Sequence, residues 1–196
     1  MIKRLFDIVV SIVAFAIFWP ILLVIAISIL LESRGGVFFK QQRVGRDEQV
    51  FWIYKFRTMR PDSESKGLLT VGGRDARITQ VGYYLRKFKL DELAQLINIL
   101  KGDMSWVGPR PEVPKYVNMY NEEQKKVLSV RPGLTDYASL AFINENEILQ
   151  QTSQPEQTYI KEIMPAKLKM NLLYIKEKSL LTDFKIMWKT FLKILS

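Results

Sequence analysis

Asp91 and Glu92 are adjacent carboxylates placed where a helix should begin, and the chain supplies many cations to face them: Lys55, Arg57, Arg86, Lys87, Arg110 and Arg131. A carboxylate surrounded by cations stays ionised, so Asp91 can act as a nucleophile or hold a metal. A hard cation such as Mg²⁺ prefers carboxylate oxygens together with substrate phosphates, which makes Asp91 the candidate metal ligand. Glu92 can then manage protons or orient the nucleophile. The plainer alternative is that both acids cap free N–H groups and complement the helix dipole. Arg110 stands between Pro109 and Pro111. A guanidinium fixed in this way suits bidentate binding of a phosphate, or of a carboxylate that holds the loop; spacing does not separate the two.

Composition narrows the chemistry. The 196 residues contain no Cys and no His. That excludes a disulfide framework, a thiolate nucleophile, a Cys/His zinc site and a Ser-His-Asp triad. The 29 Lys and Arg against 20 Asp and Glu leave a net charge of +9, which suggests an anionic partner: phosphate, nucleic acid or a lipid surface. Neither a Walker loop nor a dinucleotide G-x-G-x-x-G is present.

Several elements must position these groups. Val37–Lys40 and Val50–Arg57 read as strands of a small hairpin joined across Val44-Gly45-Arg46-Asp47. Alternation along the second strand sends Phe51, Ile53, Lys55 and Arg57 to one side. Lys55 and Arg57 therefore form either a solvated edge or a cation pair facing a phosphate. The stretch 61–73 reads as loop. A helix covers part of Gln80–Lys87. A second helix starts near Asp91, with Leu93, Leu96, Ile97 and Leu100 on its apolar face and Gly102 as its stop. Gly108 to Pro111 must be rigid and non-helical. Glu122–Val130 is a short helical segment, Gln150–Gln157 a polar loop and Ala166–Lys178 a helix.

Both ends of the chain point to a membrane. Ile8 to Leu31 carries no charge and exceeds the roughly 20 residues a bilayer crossing needs. Pro20 interrupts it, and each half, about 16–18 Å long, is too short to cross the hydrocarbon layer. Basic residues flank both ends: Lys3 and Arg4 before, Arg34, Lys40, Arg43 and Arg46 after. A re-entrant helix broken at Pro20 satisfies length, proline and charge together, with a kinked single-pass anchor as the alternative. From Leu180 to Leu195, one helical face carries Phe184, Met187, Trp188, Phe191 and Leu195, and another carries Lys185, Lys189 and Lys193. That pattern suits an amphipathic helix in the lipid interface, or a surface helix packed on the core.

The motifs Tyr54-Lys55-Phe56-Arg57-Thr58-Met59, Asp75-Ala76-Arg77-Ile78-Thr79, Leu85-Arg86, Leu90-Asp91-Glu92-Leu93, Lys101-Gly102-Asp103-Met104-Ser105, Val107-Gly108-Pro109-Arg110-Pro111 and Arg131-Pro132-Gly133-Leu134-Thr135 occur in this order. Together they resemble the bacterial sugar transferase family, the small monotopic phosphoglycosyl transferases, over nearly the whole chain. The resemblance implies a re-entrant helix broken at a proline, matching Pro20, and a catalytic Asp-Glu dyad, matching Asp91 and Glu92. It implies that the aspartate attacks the β-phosphate of a UDP-sugar, that UMP leaves and that polyprenyl phosphate takes the phosphosugar from the covalent intermediate. Mg²⁺ assists. By the same resemblance Lys55 supports the carboxylate or phosphate, Arg86 and Arg110 contact phosphates, and Arg57 and Arg131 are further phosphate-binding candidates. Asp75 and Arg77 are structural partners.

There are departures from the family pattern. Trp19 replaces a serine before the membrane proline, and Ala94 replaces a proline. Asp136-Tyr137-Ala138-Ser139 and Asn144-Glu145-Asn146-Glu147 replace a Gly-Trp-Ala-Gln-x-Asn-Gly-Arg pattern, so nucleotide or sugar contacts do not carry over there. The multi-pass N-terminal region of longer relatives is not expected.

The expectation is a mixed α/β, mostly helical chain with a re-entrant membrane helix over 1–34, a small β-hairpin, amphipathic interfacial helices and a catalytic domain over 35–196. That domain faces the cytoplasm at the bacterial inner membrane and begins glycoconjugate assembly. Expected partners are a UDP-sugar, polyprenyl phosphate and the bilayer, with no nucleic acid; a homodimer is left open. Two rivals remain. One is a membrane-anchored scaffold that binds anionic lipid or nucleic acid. The other is an ordinary glycosyltransferase, which releases UDP.

Overall fold

The computed structural model describes residues 2–61 and 75–195. Helix α1, Ile2–Glu32, is followed by strands β1, Phe38–Val44, and β2, Val50–Phe56. Then come α2, Gln80–Lys87, a 3₁₀ turn, Leu90–Gln95, and α3, Leu96–Lys101. Strand β3, Ser105–Val107, precedes the short helices α4, Pro114–Val117, and α5, Glu122–Lys125, which lead to β4, Gly133–Thr135. Helices α6, Tyr137–Ala141, α7, Glu145–Gln150, α8, Pro155–Thr158, α9, Met164–Glu177, and α10, Leu180–Leu195, complete the mostly helical chain.

Strands β1 and β2 pair antiparallel, Val44 opposite Val50 and Phe38 opposite Phe56, so the first strand is four residues longer at its end than its apolar pattern suggests. Strands β3 and β4 pair in parallel, Ser105 with Gly133 and Val107 with Thr135. Two glycines make that pairing possible. A Cβ on Gly133 would lie 2.1 Å from the Gly108 nitrogen, and one on Gly108 would lie 2.4 Å from the Arg131 carbonyl oxygen. The Gly108-Pro109-Arg110-Pro111 segment is held here as the non-helical element its sequence demands.

Asn98 is the hub between hairpin and helix. Its Oδ1 accepts from the Tyr54 backbone N–H at 2.9 Å, and its Nδ2 donates to the Trp52 carbonyl at 2.8 Å. Ile53, Leu96, Ile99 and Met104 form one small core with Ala14 of α1. Phe56, Leu85 and Ala94 form another with Ile25 and Ile29 of α1. A third core joins Val44, Val113, Tyr116 and Leu168 under the later helices.

Helix α1 departs from expectation. It runs unbroken from Ile2 to Glu32 with Pro20 inside it. Proline removes a single N–H from the ladder, and the helical bonds on either side are retained. At about 46 Å, the helix is longer than the hydrocarbon layer is thick. Its middle is bare: Ile17 and Val24 are each 63% exposed. Both ends are tied to the same globular body. Lys3 pairs with the buried Asp183 of α10, and Arg4 donates to the Leu100 carbonyl at 2.8 Å. At the other end, Glu32 accepts from the backbone N–H groups of Gln80 and Val81 at 2.6 and 3.0 Å.

Other expectations shift as well. The segment from Asp91 begins as 3₁₀ rather than α, so the helical phase moves. Ala94, Gln95, Leu96, Asn98 and Ile99 are buried while Leu100 is exposed. Gly102, at φ 95°, does end α3. The segment after Asn121 is α5 followed by a 3₁₀ turn over Lys126–Ser129. The polar stretch 150–157 contains the end of α7 and most of α8, because Pro155 starts a helical turn without needing a partner for the N–H it lacks. The loop expected over 61–73 lies, Pro61 apart, outside the described residues.

Candidate active site

The carboxylate pair sits on the 3₁₀ turn that follows Lys89, a non-glycine residue at φ 55°. That left-handed residue reverses the chain out of α2 and turns Asp91 and Glu92 toward β2. Lys55, on β2, donates to Glu92 Oε1 at 2.9 Å and lies 3.9 Å from Asp91 Oδ2. Arg110 reaches the same carboxylate from the proline loop. Its Nη1 donates to Oε2 at 3.2 Å and its Nη2 to Oε1. The backbone N–H of Arg110 is itself held by Asp136 Oδ2 at 3.0 Å.

The two acids therefore have different roles in the geometry. Glu92 receives the hydrogen bonds of both cations, whereas the Asp91 carboxylate, 9% exposed, has the looser 3.9 Å ion pair with Lys55 and accepts no side-chain hydrogen bond among the described residues. Electrostatics follow. Burial pushes the Glu92 carboxyl up, but Arg110 and Lys55 outweigh it and hold the group well below the usual carboxylate range. Burial pushes Asp91 up, and Lys55 offsets this only in part. The surplus of cations that was expected to keep Asp91 ionised acts mainly on its neighbour. Burial also lowers the Lys55 ammonium, against the pull of Glu92 and Asp91.

Arg86 stands at the edge of this group. Its Nε donates to Thr58 Oγ1 at 2.9 Å, and Asp91 and Asp75 both act on its charge. The packing that brings Thr58 there is close. Gly82 of α2 lies against the Thr58 backbone, where an added Cβ would come within 2.1 Å of the carbonyl oxygen. Asp75 and Arg77 pair with each other, Arg77 Nε lying 2.9 Å from Asp75 Oδ1.

Two expected phosphate ligands are elsewhere. Arg57 does not join Lys55: its guanidinium donates to the Ser33 and Arg34 carbonyls at 2.8 and 2.7 Å, at the end of α1. The strand ends at Phe56, so alternation no longer aims the next side chain. Arg131 donates from Nε to the Gly102 carbonyl at 2.8 Å, at the far end of α3 from the carboxylates.

Residues not singled out as candidates also shape the site. Asp136, fully buried, caps α6 through the Ser139 N–H and orients Arg110. Its signal was an Asp between a short strand and a helix start, the usual place for a cap. Glu112 anchors the other side of the proline loop, accepting from Arg43 at 3.1 Å and from the Tyr159 hydroxyl. No periodicity marks either residue.

Among the described residues, no three His, Cys, Asp or Glu side chains gather into a metal cage. Glu92 is spent on cations. Asp91 has carboxylate oxygens without donors, which fits a Mg²⁺ ion that takes one carboxylate and completes its shell with substrate phosphates and water.

A family model described as bacterial sugar transferase matches residues 1–196. The chain is 38% identical over 198 residues to a UDP-N-acetylgalactosamine-undecaprenyl-phosphate N-acetylgalactosaminephosphotransferase of Aeromonas hydrophila, covering 100% of this chain and 44% of that protein. It is 35% identical over 193 residues to the uncharacterized sugar transferase EpsL of Bacillus subtilis, covering 98% of this chain and 87% of that one. With a UDP-glucose:undecaprenyl-phosphate glucose-1-phosphate transferase of Escherichia coli it shares 33% identity over 201 residues, 98% of this chain and 40% of the other. The chain thus spans less than half the length of the Aeromonas and Escherichia proteins.

Proposed function

Since this chain belongs to the bacterial sugar transferase family, we propose that it moves a sugar 1-phosphate from a UDP-sugar to polyprenyl phosphate at the bilayer surface. The observation that carries this reading is the division of labour between the two acids: Glu92 is hydrogen-bonded by Arg110 and Lys55, and Asp91 is buried with oxygens that accept no side-chain hydrogen bond among the described residues.

In this mechanism an Asp91 oxygen attacks the β-phosphorus of the donor. The bond from that phosphorus to the bridging oxygen breaks, and UMP leaves with the electron pair. A phosphate oxygen of the polyprenyl phosphate then attacks the aspartyl-bound phosphorus, which frees the Asp91 carboxylate and forms the polyprenyl diphosphate sugar. Asp91 would be the residue that holds Mg²⁺, which when bound neutralises charge on the diphosphate. Glu92 stays ionised and acts as the post that aims Lys55 and Arg110, and with Arg86 these supply positive charge where the transferring phosphoryl group carries negative charge. The product is the lipid-linked first sugar of a bacterial glycoconjugate.

The membrane reading is part of the proposal. A helix that crossed the bilayer would place its ends on opposite faces, about 30 Å apart across hydrocarbon. Lys3 and Glu32 instead make polar contacts with one body. We read the segment 1–34, with α1 still helical through Pro20, as entering and leaving the inner membrane from the cytoplasmic side, with 35–196 as the catalytic domain on that side. Helix α10 fits the same surface. It packs through Asp183 and Ile186, while Phe184, Trp188 and Phe191 are more than half exposed.

The test is the nucleotide product. Purified protein in nanodiscs receives Mg²⁺, undecaprenyl phosphate and a panel of UDP-sugars. Lipid-dependent UMP, lost in Asp91→Asn, is the expected result. UDP would assign an ordinary glycosyltransferase instead.

A further inference from the structure

Three arginines from separate segments meet beyond the C-terminal end of α3. Arg4, in the first turn of α1, donates to the Ile99 and Leu100 carbonyls, the latter at 2.8 Å. Arg131 donates through Nε to the Gly102 carbonyl at 2.8 Å. Arg46 belongs to the hairpin turn Arg46–Glu48, which packs against the 3₁₀ turn Lys126–Ser129 just before Arg131, and its charge and that of Arg4 add to burial in lowering the Arg131 guanidinium. The terminal nitrogens of Arg131 make no hydrogen bond among the described residues.

The acids nearby make their hydrogen bonds elsewhere, although the charge of Asp7 offsets part of the repulsion at Arg131. Asp7 accepts from Ser105 at 3.0 Å and from the Trp106 N–H at 3.3 Å. Asp103 accepts from Asn98 at 3.1 Å and lies 3.9 Å from Lys101. Asp47 pairs with the exposed Nε edge of Arg46 at 2.9 Å. Capping of α3 accounts for Arg4 and for one edge of Arg131. It does not account for a third cation or for the unused face of the second.

The cluster is remote from the chemistry. From Asp91 to Gly102 the 3₁₀ turn and α3 rise about 18 Å, so these arginines and Asp91 cannot hold the same phosphorus. They lie instead where the apolar helix begins: Ile2 and Leu5, on the same turn as Arg4, are 72% and 64% exposed.

We propose that Arg4, Arg46 and Arg131 form a second phosphate site that takes the headgroup of an anionic phospholipid and fixes the depth of the protein at the membrane surface. Clustered arginines in the headgroup layer attract anionic lipid, and the guanidinium fork matches a phosphate diester. The proposal rests on the membrane placement of α1 but not on the chemistry at Asp91.

Native mass spectrometry of the full chain, released from detergent with dilute phosphatidylglycerol or phosphatidylcholine, tests it. The wild type should retain one phosphatidylglycerol in preference to phosphatidylcholine. Arg46→Gln, at an exposed position, and Arg131→Gln should each lower that retention by about fivefold, from roughly 1 kcal/mol per arginine near the surface. The control Lys161→Gln with Lys169→Gln, which removes two exposed charges elsewhere, should leave it unchanged. Unchanged retention in Arg46→Gln and Arg131→Gln, or an equal fall in the control, overturns the site. Inorganic phosphate that binds as tightly as the lipid overturns the lipid assignment. Flotation with phosphatidylcholine vesicles reads the membrane placement separately. Failure of the wild type to float overturns that placement, whatever happens at the arginines.

Discussion

Arg110 grips Glu92 through both carboxylate oxygens and makes no hydrogen bond or ion pair with Asp91, the acid beside it. Two neighbours that look interchangeable in the sequence thus have opposite environments. One is tied and held ionised; the other is buried and open to an incoming group.

If Asp91 is the nucleophile, Asp91→Asn should fold normally and lose turnover by at least about 10³-fold. A radiolabelled or mass-tagged donor should mark the wild-type protein covalently before acceptor lipid is added, and should leave the variant unmarked. Turnover near the wild-type rate in Asp91→Asn would sink the assignment.

Replacing Arg110 exposes the cost of its partner. Arg110→Ala leaves Glu92 buried with only Lys55, and loss of one member of a buried pair costs about 3–5 kcal/mol. With Arg110 34% exposed, the lower end or less is expected, because solvent screens part of the interaction. Arg110→Lys keeps the charge but not the fork, so thermal unfolding should recover more of the loss than activity does. Lys55→Ala should weaken turnover without abolishing it.

The pH dependence has a definite sign. Glu92 is depressed in the folded state by Arg110 and Lys55, so its contribution to stability is complete above the unfolded carboxylate pKa of about 4.3 and is lost as pH falls through the lower folded value. Thermal unfolding of wild type and Glu92→Gln should differ most at neutral pH and converge below about pH 4. A constant difference across that range would mean that Glu92 acts by packing alone.

The lack of cysteine makes membrane topology directly measurable. Ile2→Cys and Arg34→Cys should both react with an impermeant thiol reagent from the cytoplasmic side of inverted vesicles. Labelling from opposite sides would establish a spanning helix and overturn the monotopic reading.

Gly133→Ala should be among the most damaging single changes away from the carboxylates. Its methyl would come within 2.1 Å of the Gly108 backbone nitrogen, and backbone cannot step aside as a side-chain tip can. Overpacking costs about 1–3 kcal/mol and sometimes more. Because the displaced strand leads into Arg110, activity should fall further than the shift in unfolding temperature explains.

Much of this was legible beforehand, for local reasons. Hydrophobic period gave α10, the alternating run gave β2, and Gly102 gave the end of α3, because each depends on neighbours a few residues away. The run of motifs around Asp91, Glu92 and Arg110 identified the family because long ordered patterns survive where periodicity is ambiguous. Tertiary structure alone decided which acid each cation serves. Lys55, Arg57, Arg110 and Arg131 are alike in charge, and only strand ends, the left-handed Lys89 and the Gly108–Gly133 contact determine where their tips arrive. It also decided that α1 runs through Pro20 with both ends on one body, because the ties that hold it, Lys3 to Asp183 and Glu32 to α2, join residues far apart in the chain. Composition and spacing carry no record of such distant pairings; they arise only when the chain has folded and polar groups removed from water must find one another.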